Sequence, residues 1–204
     1  MDRVLFTIGH STHGLEPFLS LLASHHIESV CDVRSIPYSR RNPQFNREPF
    51  KEALAEAGIT YVFLGKELGA RSTNPACFIE GKVQYSSLVK EPIFAEGIKR
   101  LQEAIERDRV TLMCAERDPL NCHRTILICR ELQTPALSIE HILANGSIET
   151  NDAAETRLMS MLNIQPDLIH DQRECIERAY EIQARNIAYS LPKNVADRAP
   201  RLPK

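Results

Sequence analysis

The sequence lacks the features that mark several large classes of protein. None of its apolar runs approaches the ~20 residues that a helix needs to cross a bilayer, so we expect no membrane span. The formal net charge is −2 and only 6% of the 204 residues are aromatic, which argues against an extended nucleic-acid groove lined with stacking rings. The six cysteines are too sparse for a disulfide scaffold, and the N-terminal segment lacks the layout of a signal peptide. We therefore expect a cytoplasmic protein with reduced thiols.

Strand and helix patterns alternate along most of the chain. Short apolar runs predict five strands, at residues 4–8, 29–33, 59–64, 109–113 and 137–143. Helical patterns lie between them, at residues 15–25, 46–57, 87–107 (with a break near Pro92) and 122–132. Strands joined by helical crossovers pair in parallel. The sequence therefore predicts an α/β fold with a mostly parallel sheet of about five strands and helices on both faces.

The pattern changes after the fifth predicted strand. Residues 152–162 and 173–186 read as helices with one polar side. The last fourteen residues hold three prolines and four basic residues against one Asp, a composition typical of a mobile tail. We therefore divide the chain into an α/β domain at residues 1–148 that carries the site, a helical extension at 149–190 that packs on it, and a tail at 191–204.

The loop after the first predicted strand begins Gly9-His-Ser-Thr-His13. Gly9 permits a tight turn, and Ser11 or Thr12 can cap the helix that follows. The N-terminus of that helix would then present N–H groups to an anion, with Ser11 as a ligand-binding residue and His10 as a catalytic one. The alternative is that the hydroxyl only caps the helix and that both histidines are ordinary polar loop residues.

The loop after the second predicted strand is rich in arginine. Asp32 and Arg34 follow the strand directly, and Arg40 and Arg41 come a few residues later. Arginine is the side chain best suited to bidentate binding of phosphate or carboxylate, so the three arginines are candidate ligand-binding residues and Asp32 is a candidate catalytic residue. The alternative is a structural ion pair between Asp32 and Arg34 or Arg40 beside a solvated loop.

The densest cluster of reactive side chains lies between two apolar runs, at residues 114–124. Cys114 ends the fourth strand, and Cys122 falls in the first turn of the next helix, where the helix dipole and Arg124 can lower the pKa of a thiol. His123 can relay a proton, and Glu116 can act as a base or bind a cation. We take these five residues as site candidates, with Arg124 in ligand binding and the others in catalysis.

Three interpretations of this cluster stay open. One is a cysteine nucleophile supported by histidine and arginine. Another is a Cys/His metal site, although seven residues separate the cysteines instead of the two to four typical of zinc knuckles. The third is structural: Cys114 is a small buried residue, Cys122 caps locally, and Arg124 pairs with Glu116.

Three motifs together resemble the domain of unknown function 488 family. They are residues 7–12 (Thr-Ile-Gly-His-Ser-Thr), residues 32–37 with 39–46, and Cys114-Ala-Glu with Cys122-His-Arg. The resemblance implies a compact bacterial or archaeal α/β domain that gathers the motifs at one site, and it implies no defined activity.

A weaker resemblance is to rhodanese and Cys-phosphatase domains. Those domains also carry Asp-Val-Arg after an early strand and a cysteine at the end of a later one. They need an arginine six residues after the cysteine, where this chain has Leu120, and the carboxylates of Glu116 and Asp118 in the same loop would repel an oxyanion.

The leading hypothesis is an enzyme that binds a nucleotide or another phosphorylated small molecule at the C-terminal edge of the sheet. In it, arginines hold the anion, a carboxylate or histidine moves a proton, and a cysteine shapes the site or attacks. One alternative is a nucleic-acid-binding module built on Arg40, Arg41, Tyr38, Phe45 and the basic tail. The other is a metal or thiol-redox site of Cys114, Cys122, His123 and His10. The sequence identifies no cofactor and no oligomeric state.

Overall fold

The computed structural model of the chain describes residues 3–192, so the predicted tail lies outside the described residues beyond Pro192. The strands are β1 (Arg3–Gly9), β2 (Ser29–Asp32), β3 (Thr60–Phe63), β4 (Phe78–Ile79), β5 (Lys82–Val83), β6 (Val110–Cys114), β7 (Leu137–Ile142) and β8 (Ile148–Thr150). The helices are α1 (Leu15–Ser24), α2 (Arg47–Glu56), α3 (Tyr85–Leu88), α4 (Pro92–Arg107), α5 (Arg130–Leu132), α6 (Asn151–Met161) and α7 (Gln172–Ile187). A π-helical segment, Arg124–Cys129, runs directly into α5.

Six strands form one sheet in the order β3-β2-β6-β1-β7-β8. Pairing is parallel from β3 to β7, and β8 runs antiparallel to β7. The predicted α/β fold with a mostly parallel sheet is confirmed. The sequence pattern did not predict β8, because three residues are too few to show the alternation of apolar and polar side chains that is typical of a strand. A turn at Asn145 and Gly146 connects β7 to β8, with Gly146 at φ 86°.

The sheet separates two apolar cores. Successive side chains of a strand point to opposite faces. Phe6 of β1 therefore packs with Phe18 of α1 and Phe50 of α2, whereas its neighbour Leu5 belongs to the core on the other side with Leu101 of α4. Helices α6 and α7 add buried side chains to this second core. The central strands are apolar on both faces for this reason, as parallel strands covered by helices usually are.

The C-terminal ends of three strands meet at one edge of the sheet. Gly9 of β1 lies opposite Cys114 of β6, and Asp32 of β2 lies opposite Met113 of β6. The three motifs of the sequence follow these strand ends. The register therefore brings together loops that are separated by as many as a hundred residues along the chain.

The predicted cap of α1 is wrong. Helix α1 begins after Gly14, whose position at the N-cap involves no side-chain bond, and neither Ser11 nor Thr12 caps it. Ser11 instead adopts φ 46° and donates its backbone N–H to the carbonyl of Ala115, so a contact between loops takes precedence over local capping. Asn46 is the N-cap residue of α2, and its side chain accepts the N–H of Ser39 at 2.7 Å.

A local prediction near Pro92 agrees with the structure. The break expected near Pro92 separates α3 from α4, because proline fits the first turn of a helix and not its interior. Gly58 ends α2 with φ 73°, the left-handed conformation that glycine adopts without strain.

Candidate functional site

Asp32 and Arg34 form a buried ion pair directly after β2. Nη2 and Nε of Arg34 donate to the two carboxylate oxygens of Asp32 at 2.6 and 2.9 Å, and the Tyr61 hydroxyl donates to Asp32 Oδ2 at 2.8 Å. Burial opposes the charge of Arg34, but the hydrogen bonds to Asp32 outweigh it and raise the arginine pKa. Burial and the same carboxylate raise the pKa of Tyr61. Asp32 thus orients Arg34 and has no exposed surface of its own.

His10 lies against this ion pair as a neutral ring. Its Nδ1–H donates to the carbonyl of Ser11 at 3.0 Å, because a carbonyl can only accept, so Nε2 accepts from Arg34 Nη1 at 3.2 Å. The ring stacks on Phe45 with 4.4 Å between centroids. Burial, and then the charge of Arg34, lower the pKa of His10 to about 4. At neutral pH His10 therefore serves as an uncharged acceptor.

Four further side chains converge beside the end of β6: Cys114, Glu116, Cys122 and His123. Cys114 Sγ lies 2.9 Å from Glu116 Oε2 and 3.6 Å from His123 Nδ1. The corresponding distances from Cys122 Sγ are 3.2 and 3.9 Å. Both thiols and the imidazole are buried, whereas Glu116 is exposed. We call these four residues the thiol cluster.

The two thiols have opposite protonation preferences. The hydrogen bond with Cys122, together with burial, raises the pKa of Cys114 well above its ordinary value. Burial opposes ionisation of Cys122 as well, but the bond from Cys114 and the charge of Arg124 lower its pKa well below that value. Burial, followed by the nearby Cys122 charge, raises the pKa of Glu116. Burial and the coupling between the two thiols thus push their pKa values in opposite directions.

Arg124 holds the loop that carries the cluster. Its Nη1 and Nη2 donate to the carbonyls of Glu116 and Arg117 at 2.7 and 3.3 Å, and Nε donates to Thr7 Oγ1 at 3.3 Å. The side chain is completely buried. The interpretation that Arg124 pairs with Glu116 holds for the Glu116 backbone and not for its carboxylate. A second contact fixes the loop further along, where Arg157 donates to both carboxylate oxygens of Asp118.

The polar contacts of Arg124 continue into β7. Thr7 accepts from Arg124 and donates to His141 Nδ1 at 2.9 Å, and His141 Nε2–H donates to Asn151 Oδ1 at 3.3 Å. These partners satisfy both ring nitrogens, as is usual for a polar side chain buried in a core. Burial, and then the charge of Arg124, lower the pKa of His141 to about 4.

His141 should make the fold sensitive to acid. The folded state binds the His141 proton only near pH 4, whereas the unfolded chain binds it near pH 6.5, so stability present above pH 6.5 is lost as the pH falls toward 4. The nearby charges are Arg124 and Arg157, which favour the neutral ring, and Glu149, which opposes them. Between pH 7 and pH 4.5, urea unfolding should show the wild type losing about 2–3 kcal/mol more than His141→Gln. Parallel losses in the two proteins would contradict this.

A cavity of about 230 Å³ opens beside the thiol cluster. Its floor holds Arg34 and three members of the cluster, Cys114, Glu116 and His123. The other lining residues come from several loops and from α3 and the segment that follows α7: Ser35, Ile36, Ala70, Arg71, Tyr85, Ala115, Asn121, Ile187 and Tyr189. The guanidinium of Arg71 lies over the ring of Tyr189, 4.6 Å from its centroid. The cavity therefore combines cationic, acidic, thiol and aromatic groups.

The predicted site residues occupy three environments. Arg34, Cys114, Glu116 and His123 line the cavity, and Cys122 lies behind them within the cluster. Asp32, His10 and Arg124 are buried next to these residues and hold them in place. Ser11 lies next to His10 and binds the loop after β6 through its backbone. Arg40 and Arg41 are exposed on the loop before α2 and are not part of the cavity wall.

Sequence reasoning missed several residues of the cavity wall. Tyr189 follows α7 and reaches the cavity because its carbonyl accepts the N–H of Val83 at 2.9 Å, which ties the end of the described chain to the β4–β5 hairpin. Tyr85 begins α3 and is buried. Neither lies in a polar motif, so only the tertiary fold could reveal them. Arg71 lies in the loop after β3, outside the three motifs.

These features define an α/β protein with a polar site at the C-terminal edge of a parallel sheet, the place where ligands bind in open sheets of this kind. Residues 14–130, more than half of the chain, match the family described as Domain of unknown function DUF488. The chain belongs to this family. No curated protein and no solved structure matches the chain. The resemblance to rhodanese and Cys-phosphatase domains stays a prediction.

Among the helices of residues 3–192, none has the length and apolar character that crossing a bilayer requires.

Proposed function

We propose that the protein is a cytoplasmic enzyme that binds a small phosphorylated or similarly anionic ligand in the cavity beside the thiol cluster. The observation that carries this proposal is the cavity lining, where Arg34 and Arg71 face the reactive side chains Cys114, Glu116 and His123. Arginine binds the oxygens of phosphate and carboxylate groups in a fixed bidentate geometry. A cavity that joins such cations to reactive groups fits an enzyme better than a passive binding module.

Arg71 is the residue best placed to bind the anion. It is exposed, and within residues 3–192 it forms no ion pair, so its charge is not neutralised by a carboxylate of the fold. Its contact with Tyr189 orients the guanidinium plane without using its N–H donors. A negatively charged ligand would therefore gain hydrogen bonds from Arg71 at little cost to the protein.

Arg34 contributes less than Arg71 to binding the anion. Within the described chain, bonds to Asp32, Phe45 and His10 use Nε–H, both N–H groups of Nη2 and one of Nη1. One N–H of Nη1 is left for a ligand. Because Arg34 also belongs to a buried ion pair, its replacement would test the fold together with the ligand, and Arg71 is the cleaner target.

The size of the cavity narrows the class of ligand. Its volume, about 230 Å³, is below the roughly 300–1,000 Å³ typical of pockets for drug-sized molecules. A phosphorylated metabolite of a few carbon atoms fits such a space better than a whole nucleotide does.

The six cysteines are all unpaired, which supports a reducing compartment such as the cytoplasm.

Replacing Arg71 with alanine should weaken ligand binding by about 10- to 100-fold, the effect of losing charge-assisted hydrogen bonds worth about 1.5–3 kcal/mol. The measurement is a thermal-shift screen with inorganic phosphate, sugar phosphates, nucleotides and short DNA or RNA, since a ligand that binds only the folded state raises its apparent stability. At least one small anion should stabilise the wild type and lose that effect in Arg71→Ala.

Arg41→Ala is the matched control, because Arg41 is an exposed arginine outside the cavity wall. It should bind the same ligand as the wild type does. Stabilisation only by nucleic acid, lost in Arg41→Ala and kept in Arg71→Ala, would reject the cavity and favour the nucleic-acid-binding module. No stabilisation by any small anion would also overturn the proposal.

A further inference from the structure

We propose that the thiol cluster binds a thiophilic divalent metal ion, of which Zn²⁺ fits best, through Cys114, Glu116, Cys122 and His123. The four ligand atoms all lie within 4.8 Å of one another. This proposal deepens the proposed function, since three of the four residues form the cavity floor, but metal binding itself does not depend on the anionic ligand.

Four of the six distances between ligand atoms are known, and they are close to those of a tetrahedral site. Tetrahedral zinc, with bonds of about 2.3 Å to sulfur and about 2.0–2.1 Å to nitrogen or oxygen, separates its ligand atoms by about 3.5–3.8 Å. The two sulfur-to-Nδ1 distances are 3.6 and 3.9 Å, and the two sulfur-to-Oε2 distances are 2.9 and 3.2 Å. The two sulfur-to-nitrogen distances already fit this geometry. The two sulfur-to-oxygen distances need to lengthen by about 0.3–0.7 Å to reach this geometry, and Glu116 is exposed and able to move.

His123 is oriented as metal-binding histidines usually are. Its Nε2–H donates to the carbonyl of Val33 at 3.0 Å, so in the neutral ring Nδ1 is the nitrogen with a free lone pair, and it lies beside the two sulfurs. A carbonyl or carboxylate on the far nitrogen is the common outer partner of a metal-bound imidazole. The contact also links the cluster to the end of β2, so His123 is held by a neighbouring strand and not by its own loop.

The ligand types select the metal. Two sulfurs and an imidazole suit zinc and other thiophilic transition metals, whereas Mg²⁺ and Ca²⁺ require oxygen ligands. Binding requires both cysteines as thiolates, so it releases to solvent any proton that they carry. The buried guanidinium of Arg124, bonded to the Glu116 carbonyl, offsets part of the resulting negative charge. The unusual separation of the cysteines follows from the fold, because a strand end supplies one and the start of the next helix supplies the other.

The arrangement leaves one coordination position adjustable. Cys114, Cys122 and His123 are buried, whereas Glu116 is exposed at the cavity. Catalytic zinc sites combine three protein ligands with a position open to water or substrate. We therefore assign the three buried residues as fixed ligands and Glu116 as the ligand that a substrate oxygen from the cavity displaces.

Cobalt titration of the wild-type protein, stripped of metal with a chelator, tests the proposal without any variant. One Co²⁺ per chain should bind and give the intense visible absorption of a tetrahedral ion together with thiolate-to-cobalt charge-transfer bands. Zn²⁺ should displace it and bleach both. No binding, or an octahedral spectrum without sulfur bands, would overturn the proposal.

Variants then identify the ligands. Cys122→Ala should lower Zn²⁺ affinity by roughly 100-fold or more, and Glu116→Gln by a smaller factor with the sulfur bands kept. Cys175→Ala is the matched control, because Cys175 is also a buried free cysteine but lies outside the cluster, and it should bind as the wild type does. Circular dichroism checks that each variant is folded. Unchanged affinity in Cys122→Ala, or an equal loss in Cys175→Ala, would refute the assignment.

The two proposals fail separately. Arg71→Ala should bind zinc with wild-type affinity even if it no longer binds phosphate. A protein that binds zinc but no anion would refute the proposed ligand and leave the metal site intact. A protein that binds the anion through Arg71 but shows no cobalt spectrum would refute the metal site and leave the proposed ligand intact.

Discussion

Asp32→Ala should destabilise the protein by about 3–5 kcal/mol, the cost of leaving a buried charge without its partner. Asp32 has no exposed surface, and the Arg34 side chain bonded to it is only 6% exposed. The substitution removes the acceptor for Arg34 Nη2 and Nε, and for the Tyr61 hydroxyl, while water cannot replace it easily. Urea unfolding monitored by circular dichroism measures the loss directly.

Glu106→Ala provides the control for this prediction. Glu106 forms an ion pair with Arg3 in which both side chains are more than half exposed, and such pairs contribute about 0–1 kcal/mol. If Asp32→Ala unfolded at the same urea concentration as Glu106→Ala, the buried pair would not support the fold as argued.

Gly9→Ala should cost about 3 kcal/mol, at the upper end of what overpacking a core costs, because the new methyl group meets backbone. A Cβ on Gly9 would lie 1.9 Å from the carbonyl oxygen of Glu116 and 2.8 Å from its carbon. The loop that carries Glu116 must therefore move away from β1, and the bond from Arg124 to the same carbonyl is lost or lengthened. Thermal unfolding should show a decrease in Tm of about 6–12 °C for a chain of this size.

The same substitution should impair the site, since the displaced loop carries one of the four proposed metal ligands. Gly14→Ala is the control, because a Cβ there meets only the ring of Pro17 at an ordinary 3.4 Å and φ is −66°. It should cost less than about 1 kcal/mol, the effect of a poorer N-cap residue. Similar Tm values for the two variants would show that the close approach of Gly9 to the loop does not constrain the site.

Much of the fold was predictable because it depends on patterns within short segments. The apolar runs of β1, β2 and β6 are buried on both faces, and the loops that follow them carry the motifs. Parallel pairing of these strands was therefore enough to predict the edge of the sheet at which the motifs meet. Strand β8 and the β4–β5 hairpin were missed, because strands of two or three residues depend on their pairing partners more than on their own composition.

The sequence predicted which residues belong to the site but not what each of them does there. Arg34 and Arg124 read equally as ligand-binding arginines, yet the structure commits the donors of Arg124 to the carbonyls of Glu116 and Arg117 and to Thr7. A buried guanidinium must satisfy its N–H groups within the fold, and the sequence does not show which arginine will be buried. Tyr189 could not be found at all, because the turn after α7 that places it has no local signature of a site.

A crystal structure of the protein grown with Zn²⁺ and inorganic phosphate would test the central claim most directly. The account predicts an anomalous zinc peak bound by Cys114, Cys122 and His123, and a phosphate in the cavity that accepts hydrogen bonds from Arg71. Zinc bound elsewhere with an empty thiol cluster, or phosphate bound only at the loop of Arg40 and Arg41, would contradict it.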